Sequence, residues 1–236
     1  MSRIASAFLI PDNHIGRATV SSIAVAHEVR QMGGRSIACL NARDRNVLGF
    51  RRDLLTAAAY GVDEFLFVYG DRPETGKRSD DLTVQSMIDE ARQFGSDPAT
   101  SSRPFRLGVT TRLTALPSWK QRADFLFVQV GFSVEALLQW RQQVSFSGPI
   151  FAGVLAPPSA AMARKLSADI PQLAVPSSLL EALERDRDAG VDFACRMVTE
   201  LRDSNAVDGV HLVPVSRYRE VAARLERSSP RQPLAR

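Results

Sequence analysis

The sequence has little of what marks several common classes of protein. Two of its 236 residues are cysteines, Cys39 and Cys195, and they form no CxxC pair. A disulfide framework is therefore excluded, and both thiols are expected to be buried in a reducing, cytoplasmic compartment. Three scattered histidines argue against a structural zinc site. No run of about 18 apolar residues occurs, so we expect no membrane-spanning segment.

Motifs that bind phosphate or activate a serine are also missing. The sequence contains no GxGxxG, P-loop or GxSxG pattern. The net charge is +4, but acidic residues accompany the arginines almost everywhere except at the end of the chain, Arg227–Arg236. That short basic run has no aromatic residues to stack on bases, so we expect a flexible tail over residues 228–236 and no nucleic-acid partner.

What is present is an alternation of short apolar segments with longer amphipathic ones. The apolar segments predict seven strands: Ile4–Ile10, Ser36–Asn41, Glu64–Tyr69, Phe105–Thr110, Asp124–Val130, Ile150–Leu155 and Gly209–Pro214. Each strand is followed by a predicted helix. These helices cover Thr19–Gln31, Val47–Tyr60, Asp80–Phe94, a short piece at Ala115–Arg122, Val134–Val144, Ala160–Ala168, a long stretch at Ser178–Asp203, and Arg217–Arg227.

The strands are nearly continuous apolar runs, which is typical of parallel sheets buried on both faces. The pattern predicts an α/β fold. Seven strand–helix units suit either a TIM (β/α)8 barrel that lacks its first βα unit or a doubly wound sheet. The absence of a glycine-rich GxGxxG loop weakens the second alternative. We predict one barrel domain over residues 1–227.

In a barrel, the active site is built at the C-terminal ends of the strands. Each polar group there has a structural alternative. Residues 43–46 could form a salt-bridged first turn of the next helix, with Asn46 as its cap. Asp71 could be an ordinary turn aspartate. Gln129 lies inside an apolar strand, so we expect a buried amide that either satisfies a structural need or contacts a ligand. The polar residues at these strand ends include Asp12, Asn41, Arg43, Asp71, Arg112 and Gln129.

Several segments, in order along the chain, resemble the methylenetetrahydrofolate reductase family. The segments NARDRN, DLLTAAAYGVDEFLFVYGDRPETG, RADFLFVQVGFSVEALLQW, GPIFAGVLAPPSAAMARKL, VPSSLLEAL and GVHLVPV carry the resemblance. The ordered set is more specific than any single motif.

The resemblance implies a TIM barrel that reduces 5,10-methylenetetrahydrofolate to 5-methyltetrahydrofolate, with NADH or NADPH as donor and usually FAD. Asp71 matches an aspartate placed near flavin and folate, and is the implied catalytic residue. Gln129 matches the glutamine that contacts the pterin ring, and Asp12 is a further candidate for substrate binding. The implied cofactor-binding residues are Cys39, Asn41, Arg43, Gly70, Asp71, Arg112 and Lys120.

Three features depart from the family. Its opening strand, with a glutamate that protonates the folate, has no counterpart here. Cys39 stands where the family has a histidine. The segment that grips the FAD phosphates is shortened to Gly108–Gln121, so we predict weak FAD binding at best. The alternative function is a non-catalytic folate-binding or regulatory barrel that pairs with another protein. Because a barrel short of one strand has open edges, we also expect a second copy or a partner subunit to cover them.

Overall fold

The computed structural model describes residues 4–71, 74–97, 100, 103–169 and 173–228, so residues 229–236 of the predicted tail lie outside the described residues. The strands are β1 (Phe8–Ile10), β2 (Ser36–Asn41), β3 (Glu64–Val68), β4 (Arg106–Thr111), β5 (Phe125–Gly131), β6 (Ile150–Leu155) and β7 (Gly209–Val213). The helices are α1 (Ser22–Gln31), α2 (Val47–Ala59), α3 (Val84–Ser96), α4 (Val134–Gln143), α5 (Ala160–Asp169), α6 (Ser177–Arg185), α7 (Ala189–Ser204) and α8 (Tyr218–Ser228). Short 3-10 helices cover His14–Gly16 and Ser118–Arg122.

The chain forms two compact units. The first comprises residues 5–111 and 116–126, and the second comprises residues 112–115 together with the described residues from 127 onward. In the first unit, strands β1 to β4 are parallel and neighbour one another in chain order. The register places Cys39 opposite Leu66 and Asn41 opposite Val68, so the C-terminal ends of β2 and β3 lie side by side.

Aromatic side chains fill the core of the first unit. Phe50 of α2 packs edge-on against Phe67 of β3, with ring centroids 5.6 Å apart. Phe65 meets Phe105 in the same way at 5.1 Å. Because these rings are almost wholly buried, they anchor α2 and the start of β4 to β3.

The second unit contains β6 and β7 as a parallel pair, with Gly153 opposite His211 and Leu155 opposite Val213. Helices α5 and α6 pack through a small apolar cluster that includes Ala163, Leu179 and Leu183. The apolar face of Ser177–Arg185, with Leu179 and Leu183 buried, holds this helix against its neighbour.

The structure corrects two of the predicted elements. The predicted helix Ser178–Asp203 is two helices, because Asp186 is extended and its carboxylate accepts a bond from the Asp188 amide at 2.8 Å. Gly190 then lets α7 approach Pro157, whose carbonyl oxygen would lie 1.9 Å from any Cβ at this position. The predicted first strand Ile4–Ile10 is shorter than expected and keeps only its last three residues.

Candidate functional site at the strand ends

The ends of β1 and β2 hold a network of buried ion pairs and amide bonds. Asp12 is its centre, with a side chain only 5% exposed. Its carboxylate accepts bonds from the Asn41 backbone amide at 2.9 Å and side-chain amide at 2.7 Å, and from Nη1 of Arg45 at 2.6 Å. We call the set Asp12, Asn41, Arg43, Asp44, Arg45 and Asp53 the strand-end network.

The arginines of the strand-end network are each paired with carboxylates. Arg43 donates from Nε and Nη2 to both oxygens of Asp44, at 2.7 and 2.8 Å. These bonds are the main reason why the pKa of Asp44 falls to about 2. Arg45 links Asp12 to Asp53 of α2, donating to Asp53 at 2.8 Å. Asn46 caps α2, accepting the Gly49 amide at 2.7 Å. The salt-bridged turn predicted as an alternative is therefore present.

The turn after β3 is built around a glycine. Gly70 has φ +98°, and a Cβ there would lie 3.0 Å from the Cβ of Asn41. Only glycine accepts both this backbone conformation and this close approach without strain. Asp71 follows as an exposed residue next to the strand-end network. Gly70 therefore brings this turn against Asn41, and Asp71 follows it directly in the chain.

Cys39 lies on β2, two residues before Asn41 of the strand-end network, and is 8% exposed. Burial, reinforced by the negative charge of Asp12, raises its pKa to about 12. The thiol is therefore neutral near pH 7 and behaves as a small apolar group. Cys39 can line a cofactor site but cannot act there as a nucleophile.

In the second unit, Gln129 is exposed although the preceding residues of β5, from Phe125 to Val128, are buried. The expectation of a buried amide is thus wrong. Phe127, two residues earlier on the same face, stacks on the His211 ring of β7 at 5.1 Å. Desolvation lowers the pKa of His211 to about 4, so this imidazole is neutral at pH 7.

Gly153 of β6 holds the backbone of β5 close at Gln129. A Cβ at Gly153 would lie 2.6 Å from the Val128 carbonyl oxygen and 2.6 Å from the Val130 amide nitrogen. The two strands can approach this closely only because residue 153 has no side chain. The position of Gln129 thus depends on a glycine that the sequence pattern did not single out.

The predicted phosphate-binding cations differ in their surroundings. Arg112 is exposed, and Lys120 is half-buried with its Nζ 5.5 Å from the centre of the Trp119 ring. Arg122 forms an ion pair with Asp89. The guanidiniums of Arg43 and Arg45 are already neutralised within the strand-end network.

The structure thus brings Asp12, Asn41 and Arg43 together and places Gly70 and Asp71 beside them. Gln129 belongs to the other unit, and its predicted contact with a pterin ring stays a prediction. Sequence reasoning missed Asp53 as a member of the strand-end network. Its only signal was an acidic residue two turns into the helix that follows Arg45.

A comparison with known protein families matches a segment that covers most of the second unit. Residues 118–229 match the sequence model of the family described as methylenetetrahydrofolate reductase. The predicted resemblance is confirmed. The matched segment is just under half of the chain and includes Gln129, Gly153 and His211, but not the strand-end network. No curated protein matches the sequence.

Two solved structures share the fold. An uncharacterized protein from Clostridium thermocellum that binds two copies of 5-methyl-5,6,7,8-tetrahydrofolic acid aligns with TM-score 0.65 and 13% identity, over 94% of this chain and 82% of its own. EDTA monooxygenase (EmoA) from Chelativorans sp. BNC1 aligns with TM-score 0.52 and 8% identity, over 95% and 83%. At these identities the likeness shows the fold alone.

The predicted fold class is confirmed: an α/β chain of the TIM-barrel type, with seven strands among the described residues. Among the described residues, no helix is both long and apolar enough to cross a membrane.

Proposed function

We propose that the protein binds a reduced folate at the C-terminal ends of its strands. The observation that carries the proposal is Gln129, an exposed amide on an otherwise buried strand, within the segment that matches methylenetetrahydrofolate reductase. An amide offers one donor and one acceptor, which is what the edge of a pterin ring requires for orientation. The similar protein from Clostridium thermocellum, which binds methyltetrahydrofolate, adds support.

The finer proposal is the reaction of the family, reduction of 5,10-methylenetetrahydrofolate to 5-methyltetrahydrofolate with NADH or NADPH. Asp71 matches the aspartate that the family places near flavin and folate, and it is exposed just after β3. It is therefore our candidate for the proton donor. Such a group typically contributes about 10²–10⁴-fold to a rate.

The described cations fit the diphosphate of FAD poorly. Arg43 and Arg45 are neutralised by carboxylates, and Arg122 by Asp89, so three arginines that could serve are already paired. We therefore propose that the protein binds flavin weakly. This observation favours a second candidate function, a non-catalytic folate-binding subunit that pairs with another protein. The cytoplasmic location and the partner stay predictions.

Calorimetric titration with 5-methyltetrahydrofolate tests the proposal. Gln129→Ala should weaken binding by about 1–3 kcal/mol, because a buried ring atom of the ligand loses its partner. The control is Gln142→Ala on the exposed face of α4, which should bind like the parent protein.

An absorbance spectrum of the purified protein, followed by an assay of NADH oxidation with methylenetetrahydrofolate, separates the two functions. Turnover supports the reductase, whereas folate binding without turnover supports the second candidate. A parent protein that binds no folate would contradict both, and stoichiometric flavin would contradict weak FAD binding.

A further inference from the structure

Arg43 is a buried arginine with one nitrogen left unpaired. The residue is 3% exposed. Its Nε and Nη2 donate to Asp44, but Nη1 is buried and has no hydrogen-bond partner among the described residues. Native proteins satisfy nearly all buried donors, so an exception of this kind calls for an explanation. One explanation is a bound ligand that supplies the missing acceptor.

The surroundings of Arg43 fix its guanidinium at the candidate site. Its backbone amide donates to the Tyr69 carbonyl at 3.1 Å, which ties it to the end of β3 just before Gly70 and Asp71. The Ser79 amide donates to the Arg43 carbonyl at 2.7 Å. The bonds to Asp44 are the main cause that raises the pKa of Arg43, and the charge of Asp71 contributes to the same rise. Arg43 and Asp71 are therefore electrostatic neighbours.

The charges nearby decide what kind of acceptor fits. The strand-end network sets the carboxylates of Asp12, Asp44 and Asp53 against the guanidiniums of Arg43 and Arg45, and Asp71 adds a further negative charge. An anionic group such as a phosphate would meet an excess of carboxylates. A neutral carbonyl oxygen can accept from Nη1 without adding charge.

We propose that Nη1 of Arg43 donates a hydrogen bond to the ring carbonyl of a bound HN–C=O heterocycle. In the proposed function, on which this inference rests, that heterocycle is the pteridine of folate. Flavin carries the same HN–C=O group, so the experiment must distinguish the two sources.

Arg45 provides the matched comparison. It is also largely buried, with a side chain 14% exposed. Unlike Arg43, it has a partner for each guanidinium nitrogen: Asp53 for Nε, and Asp12 for Nη1 and Nη2 at 2.6 and 3.3 Å. We assign Arg45 a purely structural role, which makes it the control for the loss of a buried arginine.

The test compares folic acid with its 4-amino analogue, in which an amino donor replaces the ring carbonyl. The parent protein should bind folic acid about 10- to 100-fold more tightly, because a guanidinium N–H cannot pair with an amino group. Arg43→Met should reduce this preference to near unity, whereas Arg45→Met should keep it in whatever fraction folds. The comparison in the parent protein requires no variant, so it stands even if Arg43→Met is unstable.

Titration with riboflavin distinguishes a folate carbonyl from a flavin carbonyl as the partner of Arg43. Loss of riboflavin binding in Arg43→Met, with folic acid unaffected, would support carbonyl recognition but assign it to a flavin. Equal binding of folic acid and the 4-amino analogue by the parent protein, with riboflavin binding unaffected in Arg43→Met, would overturn the inference. So would an unchanged preference for folic acid in Arg43→Met together with unchanged riboflavin binding. Failure to bind any folate would instead count against the proposed function, so the two failures can be told apart.

Discussion

The strand ends of the two units are built in different ways. In the first unit, carboxylates and guanidiniums are buried in a network in which Asp12, Asn41 and Arg45 hold one another. In the second unit, the corresponding positions carry an exposed amide, Gln129, and a neutral imidazole, His211, that rests on an aromatic ring. One arrangement depends on opposite charges and the other on apolar packing and close backbones.

This difference teaches what each region can contribute to binding. The strand-end network is already ordered, so a ligand placed against it loses little conformational freedom of the protein. Its buried charges also make it intolerant of change, because each carboxylate compensates a buried cation. The second region presents fewer polar atoms, and its geometry depends on backbone contacts such as the one at Gly153.

The largest effect is expected from Asp12→Ala. The change leaves Arg45 with one carboxylate partner and removes the acceptor of the Asn41 backbone amide, so the free energy of unfolding should fall by about 3–5 kcal/mol. Urea unfolding measures the loss. The control, Asp80→Ala, removes an exposed pair with Arg78 and should change stability by no more than about 0.5 kcal/mol. Similar losses in both would show that charge pairing does not hold the first region.

An intermediate effect is expected from pH in the second region. Because the folded state lowers the pKa of His211 from 6.5 to about 4, the unfolded chain binds this proton first. The contribution of the neutral His211 imidazole to the free energy of unfolding should therefore be lost as the pH falls from about 6.5 to about 4. Below about pH 4 no further loss from this group is expected. The full loss is about 3 kcal/mol at most.

His211→Phe keeps a ring against Phe127 and should remove this part of the pH dependence, as measured by urea unfolding at each pH. His14→Gln, which changes an exposed histidine, should retain it. An unaltered pH profile in His211→Phe would mean that His211 is not desolvated in the folded protein.

The smallest effect is expected from Gly153→Ala. The added methyl group meets the backbone of β5 and should destabilise the protein by about 1–3 kcal/mol through overpacking. Gly131→Ala on β5 itself meets nothing within 4 Å and should be close to neutral in thermal unfolding. If Gly153→Ala also weakens folate binding while Gly131→Ala does not, the position of Gln129 is set by this close backbone contact. Equal stability of the two variants would remove that explanation.

Much of the fold could be predicted because buried parallel strands have a distinct composition. The bounds of β2 and β6 were predicted to the residue, since each apolar run ends abruptly at a polar or turn residue. The break between α6 and α7 could not be predicted, because Arg185 and Asp188 also suit a helix interior. It depends on the contact of Gly190 with Pro157, which is tertiary.

The candidate site was predicted in its composition but not in its contacts. Strand-end position identified Asp12, Asn41, Arg43 and Asp71, because a parallel sheet gathers its C-terminal ends at one edge. The contacts could not be predicted, because they depend on side-chain geometry that no sequence pattern encodes. Examples are the unpaired nitrogen of Arg43 and the exposure of Gln129. Asp53 was missed because its pairing with Arg45 crosses from a loop to a helix.

The buried thiols have a practical consequence. Cys39 and Cys195 are 8% and 6% exposed, and burial raises the pKa of both. Reagents that attack thiolates will therefore react slowly with the folded protein, since almost no thiolate is present near neutral pH. A cysteine introduced on the surface of either unit would be the only fast-reacting thiol. The native chain is thus a ready background for attaching a single spectroscopic probe.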